Sequence, residues 1–228
     1  MNPRVSAETK TEGRPKDRVL HEVAHMKLFD LRTGTNTRRV RIFLAEKNLR
    51  LPSVEVNMAA GENSRPEFLA MNPMGTMPVL ELDDGTFLSE SIAICRYVEE
   101  ELEPEPNLFG TTPRERAEVE MWNRRVELDL LLPITESFKH LSPFWEGRLT
   151  QIGAAGELAR RTAQVRMAWL DAELSGRPFV AGRRYTIADI TAQCALILGK
   201  NTGTPIDASL ANLSRWFKEV SSRPTARA

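Results

Sequence analysis

Apolar residues first fall into a regular pattern at Met26-Lys27-Leu28-Phe29-Asp30-Leu31, a run of the right length for a strand. A polar turn containing Gly34 follows over Arg32 to Thr37. Val40 to Lys47 then carries apolar residues at helical spacing and closes on Asn48. Leu51 to Val56 predicts a second strand with Val54 and Val56 on one face, and Pro66 to Ala70 a short helix stopped at Asn72-Pro73. Strand, helix and strand in that order imply a parallel pair joined by a right-handed crossover. Pro78 to Leu82 and Thr86 to Leu88 flank Asp83-Asp84-Gly85, a hairpin signal, because glycine takes positive φ there without steric cost. A helix from Ser89-Glu90-Ser91 to Leu102 completes the order βαβ, short α, β-hairpin, α.

Two prolines among acids, Glu103-Pro104-Glu105-Pro106-Asn107, break this texture and read as an interdomain linker. Beyond it the pattern is helical throughout. Thr112 with Pro113 and Glu115 forms a T-x-x-E capping box, and its helix runs through Trp122 and Val126 to Leu132, where Pro133 ends or kinks it. A helix from about Gly156 to Leu174 is expected to bury the stripe Leu158, Val165, Trp169 and Ala172. Thr186-Ile187-Ala188-Asp189 is a second capping pattern. It opens Ile190 to Leu198, apolar almost all round and therefore a buried central helix, and Leu213 to Val220 ends the chain helically. The expected division is an arm over residues 1–25, an α/β domain over 26–102, a linker over 103–112 and an all-α domain over 113–228.

Composition narrows the function classes. Of 228 residues, 31 are Lys or Arg and 31 are Asp or Glu, so no net field favours nucleic acid or a membrane surface, and the apolar runs are too short to cross a bilayer. The two cysteines, Cys95 and Cys194, lie far apart in apolar helical stretches. They read as small core residues of a reducing compartment, with a cytoplasmic setting as the default. His21-Glu22-Val23-Ala24-His25 matches the H-E-x-x-H pattern of zinc proteases, but it sits at the edge of a polar arm and runs straight into a strand, so no metal is expected.

Two features carry candidate chemistry. Met77-Pro78-Val79 places a proline at the start of a strand, where a cis peptide can turn the chain and leave the preceding backbone edge free to pair with an extended peptide. Glu90-Ser91 opens a helix whose unpaired N–H groups attract a carboxylate, while Glu90 can hold an amine. Together they suit a small zwitterionic peptide. Separately, a rigid turn and ordinary capping account for each.

From Met26 onward the chain resembles the soluble glutathione S-transferases, in particular bacterial members with a Thr/Asn-type loop. The matching blocks are Met26 to Leu31, Arg38 to Lys47, Asn72-Pro73-Met74-Gly75-Thr76-Met77-Pro78-Val79-Leu80, Leu88 to Ile94 and Tyr185 to Asp189. The resemblance implies a thioredoxin-like N-terminal domain, an all-helical C-terminal domain, a homodimer, and glutathione bound as cosubstrate. Carried over by position, Pro78 is the cis-proline, Met77 pairs with the cysteinyl backbone beside Val79, Glu90 and Ser91 hold the γ-glutamyl end, and Thr186 with Asp189 caps the central helix. The loop after the first strand lacks the Tyr, Ser or Cys common in the family. It offers Thr33, Thr35 and Asn36, which point to a hydroxyl or amide donor favouring the glutathione thiolate over its thiol.

The implied function is transfer of glutathione to a small hydrophobic electrophile, in detoxification. The alternatives are glutathione-dependent reduction of a disulfide or peroxide, and a non-enzymatic ligand-binding or interaction protein of the same fold. The electrophile would lie between the domains, with Trp122, Arg125 and Trp145 as its pocket and Phe138 and Phe144 nearby. The Arg38-Arg39-Arg41 cluster reads as a solvated helix face.

Overall fold

The computed structural model describes residues 21–228 except Ala24 and Pro104, with His21 and Glu22 described by their backbone. The expected arm therefore lies mostly outside the described residues. Its end does not: His21–Glu22 forms strand β1, parallel to β3 (Leu49–Arg50). The H-E-x-x-H stretch thus begins in a strand, not on the helix that would bring two histidines to one face.

The main sheet has four strands in the order β4-β2-β5-β6, from β2 (Lys27–Asp30), β4 (Ser53–Glu55), β5 (Val79–Glu81) and β6 (Phe87–Ser89). Helix α1 (Thr35–Glu46) crosses between β2 and β4, which pair in parallel with Phe29 opposite Val54. β5 runs antiparallel to both β2 and β6, and Gly85 turns the hairpin at φ +81°. The second strand is shorter than its sequence suggests. Val54 is exposed on edge strand β4 while Val56, just beyond it, is buried, so the two do not share a buried face. Helix α2 (Pro66–Met71) precedes β5, and α3 (Ser91–Tyr97) continues through a π turn over Val98–Leu102. This is a thioredoxin-like sheet with its helices.

The rest is helical: α4 (Pro113–Val126), α5 (Leu132–Leu141), α6 (Gly153–Glu173), α7 (Ile187–Asn201) and α8 (Ala211–Ser221). Both expected capping boxes are present, Thr112 with Glu115 and Thr186 with Asp189. Pro133 does not stop the chain. A π turn over Glu127–Leu131 carries α4 into α5, with the proline at the start of α5, where its missing N–H costs least. Helix α7 is buried along most of its length, as expected, and both cysteines are free and buried.

The stripe expected to be buried on α6 is not. Leu158 is 61% and Val165 65% exposed, while the buried face is Gly156, Ala163, Met167 and Leu170. Helix α5 packs on that face so closely that a Cβ on Gly156 would sit 2.6 Å from Leu141 Cγ. Small residues, rather than the most apolar ones, select the face that a neighbouring helix can approach.

Candidate active site

The loop after β2 is held from below. Arg41 grips both oxygens of Asp30 at 2.6 and 2.7 Å and donates to the Arg32 carbonyl at 2.8 Å, while the Glu55 carboxylate accepts the Arg32 N–H. Thr37 is buried and donates to the Leu31 and Gly34 carbonyls, so its hydroxyl serves the backbone. The Thr33 and Thr35 hydroxyls make no hydrogen bond to the described residues, and Thr33 and Asn36 are exposed at the start of α1.

Across from this loop, the Met77–Pro78 peptide is cis and leads into β5, with Pro78 and Val79 buried and Met77 half-buried. After β6, Glu90 adopts φ +69°, ψ 114°, a backbone conformation costing a non-glycine residue about 1–3 kcal/mol. It exposes the Glu90 side chain and starts α3 at Ser91, which is buried.

One side chain ties these parts together. Arg39, 1% exposed, donates from one terminal nitrogen to Asn36 Oδ1 at 3.1 Å and to Ser91 Oγ at 2.5 Å. The same nitrogen lies 3.9 Å from Glu127 Oε1 in the π turn of the helical half. The arginine cluster is therefore not a solvated face: Arg39 and Arg41 both turn inward. The missed signal was spacing, since Arg39, Ile42, Phe43 and Glu46 fall at i, i+3, i+4 and i+7 and all four are buried. A cation on an apolar stripe marks a buried polar contact.

Trp122, Arg125 and Trp145 do not form one pocket. Trp122 stacks on Trp169 with centroids 5.6 Å apart, with the Arg125 and Arg177 guanidinium groups 4.9 and 4.1 Å from its ring. A cavity of about 320 Å³ beside it is lined by Arg125, Asp129, Arg166, Trp169 and Glu173. Trp145 instead joins Phe138 and Phe144, with centroids 5.8 and 5.0 Å away. Phe138 lies sixteen residues beyond Trp122 on nearly continuous helix, about 24 Å at 1.5 Å per residue.

Known proteins share this architecture. The family model of the glutathione S-transferase N-terminal domain matches residues 34–101, and that of the C-terminal domain matches residues 156–224. Glutathione S-transferase 2 of Saccharomyces cerevisiae is 40% identical over 207 residues, covering 89% of this chain and 88% of that protein. The chain belongs to the glutathione S-transferase family. The crystal structure of Gtt2 from Saccharomyces cerevisiae superposes on this chain with a TM-score of 0.84 at 38% identity, covering 88% of this chain and 98% of the other. Elongation factor 1-gamma of Equus caballus is 36% identical over 73% of this chain, which spans 36% of that protein. Among the described residues no helix is long and apolar enough to cross a membrane.

Proposed function

We propose that this protein binds glutathione between Thr33–Asn36, the turn that leads into the start of α1, and Ser91, favours its thiolate, and transfers it to a small hydrophobic electrophile. The observation that carries the reading is the Asn36–Arg39–Ser91 bridge, which ties the amide at the start of α1 to the hydroxyl at the start of α3, next in sequence to the exposed Glu90. In this reading Met77 and Val79 pair with the peptide backbone of glutathione, Glu90 holds its amino group, and Ser91 holds the γ-glutamyl carboxylate. Asn36, with Thr33 or Thr35, donates to the sulfur. A thiol of ordinary pKa near 8.5 is mostly protonated at neutral pH, so each such donor raises the share of nucleophile.

The protein's own sulfurs do not suit the role. Burial pushes both thiols up, Cys194 to about 11, and both are enclosed. The reactive sulfur therefore arrives with glutathione, in a cytoplasmic protein that divides at residues 103–112. The test is steady-state turnover of chlorodinitrobenzene, and separately of a small disulfide, with glutathione. Asn36→Ala is expected to shift the bound-thiol titration upward by about one pH unit without unfolding the protein, and an unchanged titration removes Asn36 from the role. The kinship with elongation factor 1-gamma favours a second reading, an interaction protein of the same fold. Glutathione binding without turnover of either substrate would select it.

The exposed stripe of α6 supports a homodimer. Leu158 and Val165 on α6 and Met121, Leu128 and Leu132 along α4 to α5 are exposed apolar residues, and Arg166 reaches Asp129 across the seam between these helices at 3.7 Å. A second copy would cover them. Val165→Arg is expected to turn a dimer into a folded monomer, read by light scattering coupled to size exclusion; a dimer that persists places the interface elsewhere.

A further inference from the structure

Arg39 is an unusual buried cation. Its Nε and second terminal nitrogen have no hydrogen-bond acceptor among the described residues. Its nearest carboxylate oxygen, Glu127 Oε1 at 3.9 Å, is beyond hydrogen-bond reach, and the other oxygen of Glu127 is held by Arg124 at 2.6 Å. An arginine serving only the packing of α1 would have its donors matched, because each buried orphan N–H costs free energy. The guanidinium thus has an ion-pair partner but no carboxylate in hydrogen-bond contact, and the two groups it does bond, Asn36 Oδ1 and Ser91 Oγ, belong to the start of α1 and the start of α3 that the glutathione reading uses.

A guanidinium can only donate. By donating to Asn36 Oδ1 it fixes which way the amide points, leaving both hydrogens of Nδ2 directed away. By donating to Ser91 Oγ it occupies a lone pair, so the single hydroxyl hydrogen must go to another acceptor. Resting on the glutathione reading, we propose that Arg39 is a positioning residue: it sets Asn36 and Ser91 as donors, one toward the thiolate and the other toward the γ-glutamyl carboxylate. Its charge, faced by Glu127 only at 3.9 Å, strengthens both from behind without touching the ligand. Neither group alone fixes its own orientation, since an exposed asparagine flips freely and a serine hydroxyl rotates.

The test compares wild type, Arg39→Gln and Arg39→Lys. It uses calorimetric titration with glutathione, titration of the bound thiol by ultraviolet thiolate absorbance, and a melting curve. Arg39→Gln is expected to weaken glutathione binding about ten-fold and raise the bound-thiol titration by about one pH unit, with partial recovery of both in Arg39→Lys. A purely structural arginine would move the melting curve and leave the bound-thiol titration where it was; that result overturns the proposal. Should Arg39→Gln fail to fold, Arg39→Lys decides alone. Both acceptors are served by one terminal nitrogen, and the lysine nitrogen lies one bond short of it with its hydrogens tetrahedral instead of planar, so it cannot hold both in the same geometry and an unchanged titration in that variant also overturns it. Wild type that binds no glutathione overturns the glutathione reading and this proposal together; wild type and variants that bind it alike overturn the proposal alone.

Discussion

Asp189→Ala is expected to destabilise the protein by about 4 kcal/mol and to lower its melting temperature by about 10 °C or more. The carboxylate is fully buried and accepts four hydrogen bonds. They come from Val180 N at 2.9 Å, Thr186 N at 2.9 Å, Thr186 Oγ1 at 3.1 Å and Trp216 Nε1 at 2.9 Å. It closes the capping box of α7, the helix around which the helical half packs, and it ties the start of that helix to α8 through the indole of Trp216. Alanine would leave two backbone N–H groups and the indole N–H buried without an acceptor. Asp189→Asn keeps the shape and separates charge from size. Burial pushes the Asp189 carboxyl up to about 6, against the hydrogen bonds that favour its charged form. The folded chain then holds this proton more tightly than the unfolded chain. The contribution of the group is full below its ordinary value of 3.8 and is lost as pH rises through about 6. The stability of wild type relative to Asp189→Asn should therefore fall between pH 4 and 6 and level off above. Urea unfolding across that window checks it, and a flat difference would mean that folding leaves the proton equilibrium of Asp189 unchanged.

What the sequence reveals and what it hides divide by range. The hairpin at Gly85 and the two capping boxes are visible because their partners lie within four residues, where a residue type and its spacing already state the contact. The α6 stripe misleads for a different reason. That helix is apolar on two sides, and periodicity reports an apolar face without saying whether this chain or another body covers it. The choice between them depends on Gly156 meeting Leu141, which only the packing reveals. Arg39 is hidden by distance, its serine partner being 52 positions away. In the same way Trp122 and Trp145 share a composition and not a place, because a long helix separates them. The candidate glutathione site was legible as a set of backbone positions. The side chain that joins its halves was not, because an arginine among arginines on a helix looks the same whether it faces water or the core.

Glu99→Ala is expected to cost about 3–5 kcal/mol, since it strips a buried ammonium of its carboxylate. Glu99 is 4% exposed, pairs with the buried Lys47 Nζ at 2.9 Å, and accepts the N–H groups of Leu108 and Phe109 at 2.8 and 3.0 Å. Lys47 also donates to the Pro106 carbonyl at 2.8 Å, and burial lowers its pKa although Glu99 holds it up. The segment between the two halves is thus clamped onto the ends of α1 and α3. Helices α1 and α3 pack together, and they are joined twice, by Arg39 to Ser91 near their starts and by Lys47 to Glu99 near their ends. Each joint lies eight residues from the other on its own helix, 39 to 47 and 91 to 99, so the two contacts fix one parallel register. A double-mutant cycle with Lys47→Met separates the parts. The double variant should recover some of the loss, because the buried ammonium that Glu99 neutralised is gone as well. It should not recover all, because Leu108 and Phe109 still lack their acceptor. With one of the two joints removed, the single Glu99→Ala variant, assayed at a temperature where it is folded, is expected to bind glutathione more weakly than wild type although Glu99 lies two helical turns from Ser91. Equal affinity would mean that the Arg39–Ser91 contact sets the register by itself.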